Sequence, residues 1–497
     1  AALAVLPACG GSAPAGSDGT SSVPAASTWP GASPDPDILA EQVEEASALV
    51  SDGTLAPQTL PTRMSTRAAT RFLGQCTFGA TAQSIETLST QWRKGWLQAE
   101  FERPAAPTHW NRVTSRFSDW VAEDPGTRSA LTGDNTPGTI LDWSVWEAYL
   151  TAPDQLRKRV GYAWSQILVV SANGLSGGGE PVRMRAAGYL DLLERHAFGR
   201  FRDLLEAVTL SPAMGMYLSH RGNRRAEYDA SGLAIRVPDE NYAREVMQLF
   251  TIGLYRLNQD GTRVIENGLP VEAYTQEDVT QLARVFTGWN DDRRVPFPER
   301  YRAPMTVDPA LHAPEEKRFL GVAIPAGTGG VESLRRAMDA LANHPNVGPF
   351  IGRQLIQRLV TSNPSPAYVA RVAARFADNG RGERGDLRAV IGAILMDAEA
   401  TSPTRARSPE PTWGKLREPV LRLTAMARWL NVRSTVPIWR IGDLSNPATA
   451  LGQSPLRSPS VFNFYRPGYV PPSSALAPLG LVAVSYTHLT LPTILRV

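Results

Sequence analysis

The stretch Asn241-Tyr242-Ala243-Arg244-Glu245-Val246-Met247-Gln248-Leu249-Phe250-Thr251-Ile252-Gly253 decides how this 497-residue chain is read. Tyr242, Val246, Leu249 and Phe250 fall at i, i+4, i+7 and i+8, which is one face of an α-helix. Gly253 follows at the place where a helix is expected to stop. The next periodic run, 276–288, has Thr275 as its N-cap and turns Val279, Leu282, Val285 and Phe286 inward. Between the two runs, residues 254–273 form a polar, glycine-containing insertion, a candidate β-hairpin.

The same period extends outward in both directions. Toward the C-terminus, helices are expected at 331–343, 346–361, 366–378, 386–397 and 413–430, punctuated by Pro345, Pro364, Gly385 and Pro411. Toward the N-terminus, Ser65 and Thr66 can cap a helix carrying Ala68, Ala69, Phe72 and Leu73, and Thr81 opens another. Residues 140–170 look like one long amphipathic stretch, and helical patterns resume at 182–197 and 201–210. Strand-like alternation is scarce. The fold class is therefore all-α: a large multi-helical domain over 66–483 with long loops and one small β-hairpin insertion. A division into two subdomains near 300–330 is an open alternative.

Composition narrows the function classes. Hydrophobic residues at 42% and charged residues at 20% place the chain among ordinary globular proteins. Lys and Arg number 51 against 48 Asp and Glu, so no overall basic excess speaks for a nucleic-acid partner. No apolar run reaches the 18 residues of a membrane-spanning helix.

The N-terminal segment points outside the cytoplasm. Ala1 to Leu6 looks like the remains of a signal-peptide core, and Leu6-Pro7-Ala8-Cys9 resembles a lipobox, with Pro7 an unusual residue there. Lipid on Cys9 is expected to anchor the chain to a membrane, in the periplasm or at the cell surface. The alternative is a plain secretory signal with a chance cysteine. Residues 10–37 are rich in Gly, Ser, Ala and Pro and are expected to form a flexible tether. Cys76, in an apolar context, reads as a buried thiol.

Three residues are the candidates for acid–base or hard-metal chemistry: Glu245, Asp278 and His312. Asn241, Glu245 and Gln248 share a helical face, with Arg244 beside them. The plainer readings are a solvated face, or an ion pair between Glu245 and Arg284. Asp278 stands three residues after Thr275, which is also the capping-box position. The six histidines include no pair at i, i+3 or i+4, so no helical zinc motif exists, and the identity of any metal or cofactor is open.

At these residues a family resemblance enters. Arg71-Phe72-Leu73-Gly74-Gln75-Cys76-Thr77-Phe78-Gly79-Ala80-Thr81, Glu240 to Glu245, Tyr274 to Asp278, Thr287-Gly288-Trp289 and Lys317-Arg318-Phe319-Leu320-Gly321 resemble motifs of domain of unknown function 1800. So do Gly452-Gln453-Ser454-Pro455 and Ser458 to Phe464. The resemblance implies an exported, mainly helical bacterial protein. It also implies a co-encoded partner with a sulfatase-like look, of domain of unknown function 1501. Many members carry His where this chain has Phe250, which argues against a catalytic or metal-binding histidine on that helix. Residues 484–497 depart from the family pattern and are expected to be a non-native tail, replacing further helical sequence.

Three functions follow as expectations. One is an envelope enzyme, hydrolase-like, acting on a surface polymer through Glu245, Asp278 and His312. Another is a non-catalytic scaffold or a secretion and assembly partner of the co-encoded protein. The third is a sugar- or lipid-binding module.

Overall fold

Ser65 caps the first helix, α1 (Thr66–Cys76), by accepting from the Ala68 amide at 3.2 Å. The face Ala68, Ala69, Phe72, Leu73 and Cys76 is buried, as the spacing predicts. Thr81 and Ser84 exchange bonds in a capping box that opens α2 (Ala82–Glu102). These elements belong to a computed structural model that describes residues 63–115, 136–175, 179–402, 413–435 and 439–464. Cys9, the tether at 10–37 and the tail at 484–497 lie outside the described residues.

The stretch 140–170 is two helices rather than one, α3 (Thr136–Thr151) and α4 (Gln155–Ser165). Pro153 explains the break, since it has no amide to donate and drives Ala152 out of the helical region. Both helices pack on α5 (Gly179–Arg195), which is followed by α6 (Phe201–Thr209) and the short α7 (Pro212–Tyr217). The helix of the opening stretch, α8, runs Asn241–Gln248. The amides of Ile252 and Gly253 both bond back to the Met247 carbonyl, at 2.8 and 2.9 Å, and Gly253 takes φ +78°. Helix α9 (Gln276–Ala283) ends earlier than 288, in the 3₁₀ turn Arg284–Phe286.

The C-terminal helices are α10 (Gly330–Asn343), α11 (Val347–Leu359), α12 (Pro366–Ala377), α13 (Leu387–Met396), α14 (Ala398–Thr401) and α15 (Pro419–Trp429). The last begins at Pro419 rather than near 413, because proline is suited to the first helical position. One hydrophobic cluster runs from Met64 to Leu456 and includes Phe319, Ile324 and Leu334, so it crosses 300–330 without a break. Among the described residues no helix is long and apolar enough to cross a membrane.

Among the described residues, four antiparallel two-stranded ribbons decorate this mostly helical body. They pair β1 (Glu227–Tyr228) with β2 (Ala234–Arg236), β3 (Ile265–Glu266) with β4 (Leu269–Pro270), β5 (Trp289–Asn290) with β6 (Thr306–Val307), and β7 (Lys317–Phe319) with β8 (Val322–Ile324). The β3–β4 ribbon is the expected hairpin; Asn267 and Gly268 sit at its turn with φ +51° and +78°, the signature of a type I′ turn. The other three were not foreseen, because strands of two or three residues carry too little alternation to read.

Candidate functional site

The three candidate residues do not converge. Among the described residues, one group of three acidic or histidine ligand atoms lies within 4.8 Å of one another, and it is His109, Asp191 and Glu194 rather than Glu245, Asp278 and His312. Asp278 is committed to structure. Its Oδ2 accepts from the Thr275 amide at 2.7 Å, closing the capping box of α9, and its Oδ1 accepts from the Leu320 amide at 2.7 Å, pinning the β7–β8 turn. Burial alone would raise its carboxyl, but these donors hold it below the ordinary range. His312 is buried with Nδ1 bonded to the Thr287 carbonyl at 3.0 Å, and burial lowers its pKa.

His312 Nε2 has no hydrogen-bond partner, and Glu245 likewise keeps a free polar atom. Glu245 is buried on α8, and the atom is its Oε2. Burial pushes its carboxyl up, against the pull of the neighbouring Arg244. No ion pair with Arg284 forms: Arg284 donates instead to Gln281 Oε1 and the Glu316 carbonyl, each at 3.3 Å. Arg244 pairs with Glu240 at 3.2 Å and bonds Gln276 at 3.0 Å, and the Asn241 side chain reaches Ser219 at 3.4 Å. Phe250 lies in the core against Tyr242.

The His109 group is a charge network rather than a metal centre. Asp191 spends its two oxygens on the amides of His109 and Trp110, at 2.6 and 2.9 Å. Glu194 takes His109 Nε2 at 2.8 Å on one oxygen and the buried Lys158 ammonium on the other. With an ammonium already seated there, a cation would meet like charge. A second buried centre surrounds Glu418, whose Oε2 accepts from Tyr162, Gln166 and Gln453. The cavity beside it, lined by Gln166, Ser454, Ser458 and Asn463 among others, holds about 10 Å³, room for about one water. Gln453, Ser454 and Pro455 of the stretch Gly452 to Pro455 line this small cavity.

A larger opening among the described residues lies elsewhere. A cleft of about 390 Å³ is lined by Arg185, Arg221, Arg293, Arg300 and Asp291, with Met216, Phe297 and Tyr301 giving it an apolar side. The β5–β6 pair closes the base of the loop 291–305, and the Met305 amide ties that loop to Leu210 at 2.8 Å. Arg300 stitches the loop internally, donating to the carbonyls of Val295 and Arg293 at 2.7 and 2.9 Å. Asp291 receives Arg221 at 2.8 Å and Arg185 at 3.5 Å. Arg185, from α5, is only 5% exposed, its Nε has no partner, and its guanidinium lies 4.8 Å over Tyr301. Burial lowers the pKa of Arg185, offset by Asp291.

Sequence reading missed this cleft because its arginines come from segments far apart in the chain. Asn290-Asp291-Asp292-Arg293-Arg294 looks neutral. In the fold Asp292 closes a bidentate pair on Arg294, at 2.8 Å twice, and Asp291 turns to Arg185 and Arg221, so Arg293 stands apart at the cleft. A family model described as "Protein of unknown function (DUF1800)" matches residues 71–487. No curated protein and no solved structure matches the chain.

Proposed function

The chain belongs to the DUF1800 family, and from that premise we propose that it is a binding or assembly protein of the bacterial cell envelope that captures an anionic group in the arginine-lined cleft. The observation that carries this reading is the charge of that cleft: four arginines and a single carboxylate, Asp291, line it. Placing it in the envelope is supported by the lipobox-like Leu6-Pro7-Ala8-Cys9 and the Gly/Ser-rich stretch after it. Lipid on Cys9 would make the membrane one partner, and the co-encoded sulfatase-like protein of domain of unknown function 1501 is the assembly partner this role implies.

Polymer hydrolysis is the second reading, and one observation favours it: the buried, unpartnered Oε2 of Glu245. Against it, Asp278 is spent on capping, and His312, whose Nε2 is unpartnered, does not gather with Glu245, so Glu245 lacks the companions assigned to it. Calorimetric titration of the whole chain with inorganic phosphate tests the first reading. Binding that weakens as salt rises, and that Arg221→Ala reduces, is the expected result. No binding at low salt overturns it.

A further inference from the structure

We propose that the cleft takes a phosphate monoester carried on a sugar-sized ring, an inference that rests on the anion-binding reading above. The charge count favours a dianion. Arg185, Arg221, Arg293 and Arg300 against Asp291 leave three positive charges, which a single carboxylate ligand would neutralise only in part. The donors also come from three directions: α5 supplies Arg185, the turn after α7 supplies Arg221, and the 291–305 loop supplies Arg293. Arg221 uses only Nε on Asp291, which leaves its terminal nitrogens for a ligand. A tetrahedral ester offers three acceptor oxygens to such a set, whereas a carboxylate offers two in one plane.

The rest of the ligand is read from the apolar side. Phe297 is 56% exposed at the lip of the cleft, with Arg300 4.3 Å over its ring and the Tyr301 ring 4.8 Å away. Arg300 donates to two backbone carbonyls, so Phe297 is held at the lip rather than left to swing. An exposed aromatic beside a cationic hollow suits a ring whose C–H face stacks while its charged substituent points inward. The volume, about 390 Å³, is near the lower end for small-molecule sites and accommodates one such unit.

The test is calorimetric titration of the whole chain with glucose 6-phosphate, glucose 6-sulfate, glucuronate and inorganic phosphate, repeated on Phe297→Ala and Arg293→Ala. Glucose 6-phosphate is expected to bind about tenfold more tightly than inorganic phosphate. Phe297→Ala should erase that advantage and leave inorganic phosphate unchanged, while Arg293→Ala weakens both. Glucose 6-sulfate, a monoanion of the same shape, is expected to bind more weakly than glucose 6-phosphate, and equal or tighter binding of the sulfate overturns the phosphate assignment but leaves anion binding standing. Glucuronate binding as tightly as the phosphate ester, or a silent Phe297→Ala, overturns the inference but leaves anion binding standing. Failure of every anion to bind removes both.

Discussion

Arg221 donates from Nε to Oδ1 of Asp291 at 2.8 Å, while the buried Arg185 reaches the other oxygen of the same carboxylate at 3.5 Å. One carboxylate thus holds two guanidinium groups from separate elements at the wall of a single cleft. It positions them without neutralising them, and that surplus of charge is what the functional reading rests on.

Asp291→Ala should therefore leave Arg185 buried and unpaired. We expect a loss of about 3 kcal/mol in unfolding free energy, measured by urea denaturation. Millimolar phosphate should restore more stability to this variant than to the native chain, because it can take the place of the missing carboxylate. Equal stabilisation of the two proteins contradicts the arrangement.

Glu194 gives a pH dependence. Burial alone would raise its carboxyl, but His109 and Lys158 hold it at about 2 in the folded protein. An unfolded Glu titrates near ~4.3. The folded pKa is depressed, so the stabilisation is fully present above pH ~4.3 and is lost as pH falls toward about 2. Glu194→Gln strands the Lys158 ammonium and should cost about 3–5 kcal/mol at neutral pH, with a flatter acid limb in thermal scans.

Asp278→Ala removes the acceptor for Thr275 and Leu320 together. A destabilisation of about 1–2 kcal/mol is expected, with phosphate binding unchanged. A variant of native stability that loses an envelope phenotype would instead return Asp278 to a chemical role.

Glu245→Gln separates the two functional readings. The carboxyl is raised by burial, so its ionised form is disfavoured in the folded state, and the neutral isostere should raise the melting temperature at pH 7–8. Anion binding should be untouched. If stability rises and the envelope phenotype persists, hydrolysis through this residue is removed. If the phenotype is lost, the hydrolase reading gains what the cleft does not supply.

Much of the fold was legible because helices announce themselves locally. Tyr242, Val246 and Phe250 are all buried, and Ser65 and Thr275 cap the helices their positions suggest. The capping role of Asp278 was legible for the same reason, since its partner Thr275 is three residues away. The cleft was not legible, because Arg185, Arg221 and Arg293 meet only through long-range packing. The buried Lys158 and Arg159 were equally hidden: their stretch reads as a polar face, yet both side chains are sealed inside. Buried charge depends on partners distant in sequence, and periodicity carries no record of them.

The most direct test of the anion cleft is anomalous diffraction from crystals of the protein soaked in selenate, a heavy tetrahedral oxyanion. The account predicts a selenium peak within hydrogen-bonding distance of Arg185 and Arg221, weakened in Arg221→Ala. Selenate bound at other surface arginines with none in this cleft would contradict it.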